Sequence, residues 1–334
     1  MKRILFSAVC LVAAVNLMAQ EAGLKLVEEN EQQCFDAFIP PGNYSGIAPL
    51  GNDDYAVVSD KSKRDGFFVF HIELNDTTGE ILRVANRGFF GGQLPNRDAE
   101  GIAFLPEKNT ILIAGEADGR ILEYSREGQL TRREAEVPEL LRSNSNNYGL
   151  ESLTYNATTQ RLWTCTENTL PADGMLATST NGVAAIIRLQ SFGNDLKPRE
   201  TYFYQMDKPQ ASAPAWAYAM GVSELLALDD GSVLVLEREF YVPESKLGAF
   251  VANKLYQTWP RKGMETNAKK PLEKQLVLEW QTSISLFGCD LANYEGMCLG
   301  PKLRNGSQVV ILVADSQDRY QGILKDWMKT IVIK

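Results

Sequence analysis

The sequence predicts an all-β propeller of five four-stranded blades, and three observations carry that reading. Five hairpin-like segments superimpose in register, at intervals of about 50 to 70 residues. Each is followed by further strand-like segments rich in β-branched and aromatic residues. Helix-periodic sequence is scarce along the whole chain. Closed radial repetition hides sheet edges, which is what a propeller achieves.

The blades can be justified in order. The first hairpin starts at Ser45, "SGIAPLGNDDYAVVSD", turns at Gly51-Asn52-Asp53-Asp54, and is followed by "GFFVFHIEL" and "ILRVANRGFF". The second starts at Glu100, "EGIAFLPEKNTILIAGE", turns at Pro106-Glu107-Lys108-Asn109, and leads to "GRILEYS" and "LTRREAEV". The third starts at Glu151, "ESLTYNATTQRLWTCTE", turns at Thr158-Thr159, and leads to "GVAAIIRLQ" and "RETYFYQM". The fourth starts at Ser223, "SELLALDDGSVLVLE", turns at Asp229-Asp230-Gly231, and leads to "NKLYQTW" and "EKQLVLEW". The fifth starts at Glu295 and turns at Asn305-Gly306, after which only "KTIVIK" remains. Asx and Gly residues tolerate φ > 0, so these clusters are hairpin signals with a mechanism. The fifth blade lacks a fourth strand, and "LKLVEEN" is the expected supplier, with Leu24–Glu29 beside Thr330–Lys334. The longer third and fourth units leave room for a sixth, degenerate blade as the rival arrangement.

Each hairpin ends on a second recurring position: Asp60, Glu116, Glu167, Glu237 or Asp315. The midpoint between the two positions falls in the turn every time. Symmetrical pairing would set them opposite one another, with Cβ atoms roughly 5 Å apart. If the first strand of each blade is innermost, the open ends gather at one mouth of the central channel. Asp60, Glu100, Glu116, Glu151, Glu167, Glu237, Glu295 and Asp315 then converge. Opposed like charges destabilise a sheet, and a cleft raises carboxylate pKa values unless something compensates. Arg238, Arg97, Arg64 and Arg319 are candidate cations, and bound calcium or another divalent ion is the alternative. Glu100, Glu116, Glu151, Glu167, Glu295 and Asp315 are accordingly the candidate metal ligands. Arg97, Arg238, Glu237 and Asp60 are the candidate ligand contacts. A lone Glu-Gly is an ordinary solvated strand end; recurrence in register argues for the repeat. Side-chain bonds that lock blade to blade are the structural alternative to a ligand role.

The 334 residues, 44% hydrophobic and 23% charged, suit a globular chain with a full core. Met1-Lys2-Arg3, an apolar run from Ile4 to Val15, and Leu17-Met18-Ala19 before Gln20 have the form of a secretory signal peptide. Residues 1–19 are expected to be removed, leaving 20–334 as one exported domain, periplasmic or extracellular. No later stretch reaches ~18 uninterrupted apolar residues, so no integral membrane segment is expected. Without Lys2 and Arg3, the 34 basic residues become 32 against 42 acidic ones, and the net charge moves from −8 to −10. The densest basic stretch, Lys61-Ser62-Lys63-Arg64, is flanked by Asp60 and Asp65, which argues against nucleic acid and anionic membrane as partners. The remaining cysteines, Cys34, Cys165, Cys289 and Cys298, allow three pairings, and the sequence chooses none. No Cys/His spacing suggests zinc. A monomer with a small-molecule ligand is expected.

The phrases "RDAEGIAFLPE", "YGLESLTYN", "ALDDGSVLVLERE" and "NYEGMCLGP" resemble the phytase-like family, also described as "esterase-like activity of phytase". The resemblance runs from about Tyr44 to Tyr320. It implies an exported propeller with acids at Glu100, Glu151, Glu237-Arg238 and Glu295, and hydrolysis of phosphate or carboxylate esters. In the first hairpin Ser45-Gly46 departs from the family's Glu-Gly. A Ser-His-Asp relay needs a histidine base, and the one histidine, His71, alternates with apolar residues in "GFFVFHIEL". No Gly-x-Ser-x-Gly elbow appears. No residue is therefore assigned a catalytic role. Two classes of function remain: metal-assisted hydrolysis of a phosphorylated small molecule, and a non-catalytic propeller binding a small ligand or a protein partner at the acidic mouth.

Overall fold

A computed structural model of the protein describes residues 23–142, 149–285, 288–319 and 323–334. The expected signal peptide lies outside the described residues. Two short strands come first, β1 (Leu26–Glu29) and β2 (Gln33–Cys34). The first blade is β3 (Tyr44–Gly51), β4 (Asp54–Ser59), β5 (Arg64–Leu74) and β6 (Ile81–Pro95). The second is β7 (Ala99–Leu105), β8 (Thr110–Gly115), β9 (Arg120–Ser125) and β10 (Leu130–Glu134), followed by one helical turn, α1 (Glu139–Arg142). The third is β11 (Thr154–Asn156), β12 (Arg161–Cys165), β13 (Ile186–Gly193) and β14 (Pro198–Gln205). The fourth is β15 (Ala217–Ala227), β16 (Val233–Val242), β17 (Phe250–Thr258) and β18 (Lys274–Ser285), with β19 (Gly288–Cys289) added at its edge. The fifth joins β20 (Asn293–Lys302), β21 (Gln308–Asp315) and β22 (Trp327–Ile333) to β1, while β2 also pairs with β22.

The chain is thus a five-bladed β-propeller, closed as the sequence predicts: Leu26 pairs with Ile333, Glu28 with Val332 and Glu29 with Ile331. There is no sixth blade among the described residues, because the extra length of the third and fourth units goes into loops and into β19.

The strand chemistry follows from position. β3, β7, β11, β15 and β20 contact one another in a ring around the axis. The second strand of each blade has neighbours on both faces. Its residues therefore read as unbroken apolar runs, such as Val309–Ala314 of β21, buried throughout. The fourth strands lie outermost and expose alternate or successive residues, as β18 does. At the β3–β4 turn Asn52 and Asp53 have φ of 55° and 60°, the double positive φ that a tight hairpin needs.

Five apolar clusters fill the seams. One joins Tyr44 and Ile47 of the first blade to Val309 and Val332 of the fifth. The others bridge first to second, second to third, third to fourth, and fourth to fifth blades. Each buried Leu, Ile or Val contributes about 1.5–3 kcal/mol, so closure of the ring stabilises every blade through two neighbours. Blades approach closely at the axis: a Cβ on Gly101 would lie 2.5 Å from the Leu153 backbone nitrogen, and one on Gly46 would lie 2.6 Å from the Glu100 carbonyl oxygen. The glycine of the recurring Glu-Gly is therefore a packing requirement. Cys34, Cys165, Cys289 and Cys298 carry free thiols.

Candidate functional site

The recurring acids do not oppose one another across their hairpins. Ala99 pairs with Gly115 and Gly101 with Ala114, so Glu100 is an extra residue, a β-bulge, in the inner strand. The same irregularity falls at Ser45, Ser223 and Glu295. In the third blade Glu151 N–H donates to the Cys165 carbonyl, while Glu167 N–H donates to Gly149. A bulge turns a side chain away from its ladder position. Here it aims Glu100, Glu151 and Glu295 into the channel and leaves Asp98, Gly149 and Asn293 facing Glu116, Glu167 and Asp315.

The result is a cavity of about 540 Å³ at the mouth. Its wall holds seven carboxylates (Asp60, Asp98, Glu100, Glu116, Glu151, Glu167 and Glu295) against two cations, Lys61 and Arg238. Tyr218 and Phe240 supply an aromatic side. Arg97, Glu237 and Asp315 are not in the wall. Arg97 is spent on Asp65 at 2.7 Å, on Asp118 at 3.0 Å and on the Ile113 carbonyl at 3.1 Å. Glu237 points into the seam with the third blade, where it accepts from Tyr204 and Lys274 at 2.6 Å each and from the Asp207 amide at 2.9 Å. Asp315 is covered by Gln317, whose amide donates to it at 2.7 Å. His71 lies on β5 and meets Asp54 at 2.8 Å, away from the mouth.

The acids in the wall divide into two groups. Some latch blades together. Arg238 of the fourth blade donates to Glu167 of the third, and to Glu295 at 3.0 Å and Asn293 at 2.7 Å in the fifth. Glu116 accepts the Gly149 amide at 2.9 Å, tying second blade to third. Deeper on the axis, Glu224 stands where the first, second and fifth blades carry Gly46, Gly101 and Gly296, and accepts amides from Leu225, Leu153 and Met297. Glu100 and Glu151 do none of this: both are 7% exposed, and their carboxylates accept no hydrogen bond among the described residues. Beside Glu100, one oxygen each from Asp60, Asp98 and Glu100 lie within 4.8 Å of one another. Oδ1 of Asp60 is buried without a hydrogen-bond partner among the described residues, while Oδ2 meets the Lys61 ammonium. Lys61 also stands 3.7 Å from Asp98.

Protonation follows from this crowding. Burial, then Glu295 and Asp60, pushes Glu100 well above the usual carboxylate range. Burial, then Glu167 and Glu100, does the same to Glu151. For Glu295 the causes are burial and Asp315, opposed by Arg238. Asp60 is raised by burial against its bond to Lys61. Burial and Asp60 push Asp315 up to about 7. Burial disfavours the Arg238 charge, but Glu167 and Glu295 outweigh it and hold its pKa above the ordinary value. The mouth is short of positive charge.

The phytase-like family, described as "Esterase-like activity of phytase", matches residues 39–317. The chain belongs to that family. No curated protein sequence matches it significantly. Among solved structures, a streptogramin B lyase is similar at 11% identity over 92% of this chain and 98% of its own, with a TM-score of 0.39. A luciferin-regenerating enzyme follows at 10% identity, 92% and 94% coverage and a TM-score of 0.39. A protein of unknown function from Bacteroides thetaiotaomicron has 9% identity, 93% and 76% coverage and a TM-score of 0.41. Likeness at that level carries no functional argument. No helix among the described residues is long and apolar enough to cross a membrane.

Asp98 and Lys61 are the residues that the hairpin argument misses. Asp98 precedes the bulge, has φ of 59°, and lies opposite Glu116, whose amide donates to its carbonyl at 2.8 Å. The sequence signal was the acid two positions before Glu100 in "RDAEG". Lys61 directly follows the recurring Asp60.

Proposed function

We propose that the channel mouth of this exported propeller domain holds a divalent cation, calcium foremost, between Asp60, Asp98 and Glu100, and that phosphomonoester hydrolysis takes place beside it. The observation that carries the reading is the meeting of three carboxylate oxygens within 4.8 Å, with no partner on Asp60 Oδ1 among the described residues. The donor set is all hard oxygen, which suits calcium or magnesium better than zinc. Three carboxylates supply about three to six of the six to eight oxygens calcium takes, with room in the cavity for water and ligand. Bound there, the ion would polarise a phosphoryl oxygen and acidify its water. Glu151, without a side-chain hydrogen bond among the described residues and pushed toward its neutral form, is the carboxyl outside the triad able to take or give a proton. The family's description as esterase-like and phytase points to the same class of bond.

Arg238 favours a second reading. Its two terminal nitrogens are committed to Glu167, Asn293 and Glu295, so it offers a phosphate little. A propeller that captures a ligand through the cation without turning it over is consistent with that commitment. Calorimetric titration of EDTA-treated protein with calcium tests both, followed by phosphate release from p-nitrophenyl phosphate. Binding abolished by Asp98→Asn, with calcium-dependent release, supports hydrolysis. Asparagine tolerates the positive φ at that position, so the variant removes charge without backbone strain. Binding without release selects the capture reading, and no binding overturns both.

A further inference from the structure

A second cavity, about 400 Å³, opens beside the first. Lys61 lines both. The second differs in character: Arg319 joins Lys61 there, with hydroxyls from Ser59, Ser62 and Ser316. Asp318 also lines it, but its Oδ1 already accepts from the Asn43 side-chain amide at 2.9 Å. The Arg319 guanidinium meets Asp36 across 3.6 Å, with both side chains about half exposed, a weak pairing that leaves its donors available. The wall between Ser316 and Arg319 is held in an uncommon shape. Gln317, Asp318 and Arg319 have φ of 46°, 52° and 62°, three successive left-handed residues with side chains. Asn43 pins this turn, accepting from Ser316 Oγ and from the Asp318 amide, each at 2.8 Å.

We propose that this second cavity is the anion subsite of the same centre, taking the phosphate group of a phosphomonoester between Lys61 and Arg319 when a divalent cation occupies Asp60, Asp98 and Glu100. The inference rests on the cation reading above and adds where the anion sits and what controls its binding. Lys61 is the link. Its ammonium now contacts Asp60 and stands 3.7 Å from Asp98, the same carboxylates the cation requires. Ammonium and divalent ion repel and compete for those oxygens. Cation entry releases Lys61 from the first cavity, and the second is the other space it lines. Two planar donors of Arg319 and the Lys61 ammonium then suit a tetrahedral oxyanion. Binding of cation and anion must reinforce each other by the same factor in both directions.

The test is calorimetric titration of inorganic phosphate into the full protein with EDTA and with saturating calcium, on wild type, Arg319→Gln and Lys61→Gln. Calcium is expected to strengthen phosphate binding by roughly fivefold or more. Arg319→Gln should weaken the calcium-dependent phosphate binding by about tenfold, as loss of a charge-assisted contact does. Lys61→Gln should weaken phosphate binding and strengthen calcium binding, because a competing cation is gone. A structural role for Lys61 would weaken both and so contradict the proposal. Calcium binding with phosphate affinity indifferent to both variants overturns the subsite and leaves the cation reading standing. No calcium binding in wild type overturns the cation reading itself.

Discussion

At the scale of single residues, burial and like charge decide which acids can act. Arg97 and Arg238 carry the clearest contrast. Arg238 is 5% exposed and serves three partners at the mouth; Arg97 is 8% exposed and serves Asp65 and Asp118 behind it. Removing one partner from a buried pair costs about 3–5 kcal/mol. Arg238→Ala and Arg97→Ala are both expected to lose that much in urea denaturation, and only Arg238→Ala is expected to alter calcium affinity. Equal effects on calcium would contradict the separation of the mouth, where Arg238 lies, from the Arg97 cluster behind it. The carboxyls also set a pH dependence. A carboxyl whose folded pKa lies above its unfolded value stabilises fully below about pH 4. That contribution is lost as pH rises through the folded value, about 7 for Asp315. Glu100, Glu151 and Glu295 shift in the same direction. EDTA-treated protein should therefore lose stability between about pH 4 and 7, and calcium should flatten the decline, as read from urea midpoints. The acids themselves were legible from their recurrence. Their partners were not, since nothing in "LERE" says that Glu237 turns into the seam with the third blade while Arg238 turns to the mouth.

At the scale of elements, the inner-strand bulge does most to make the site. Five hairpins and their turns could be placed because Gly, Asn and Asp mark turns and apolar runs mark strands, and β4, β8, β12, β16 and β21 lie where those signals put them. The facing of the acids could not be placed. A bulge adds one residue to one strand and leaves turn and hydrophobic pattern intact, so the midpoint rule runs through it unaware. The Glu-Gly pair marks the bulge in hindsight: the acid is turned to the channel, and the glycine lets the next blade approach. Gly101→Ala should therefore cost about 1–3 kcal/mol by overpacking, because the added carbon meets backbone atoms of Leu153 and Ser152 at 2.5 and 2.6 Å. Its cost should appear in chemical denaturation as a lower midpoint at unchanged slope. A neutral result would mean that the blades have room at the axis.

At the scale of the whole molecule, closure and charge act together. Repetition made the five blades and the borrowed strand legible, because each unit repeats the same order of strand, turn and strand. The loop insertions of the third and fourth units look like strand spacing until their lack of apolar alternation is weighed. β1 covers the edge of β22, where Ile331, Val332 and Ile333 are at most 1% exposed. A chain beginning at Asn30 uncovers that edge and should self-associate, measured by light scattering after size exclusion; a monomer with unchanged melting would contradict closure by β1. The closed ring is also what crowds seven carboxylates around two cations, so a divalent ion bound to the native mouth should stabilise the entire fold. The direct measurement is a thermal scan of EDTA-treated protein, alone and with calcium near a hundred times its dissociation constant, for wild type and Asp98→Asn. Binding to the native state alone is worth about 2.7 kcal/mol at that concentration, roughly a 4 °C rise for a chain of this length. The account predicts that rise in wild type and its loss in Asp98→Asn. Melting curves that superimpose with and without calcium would contradict it.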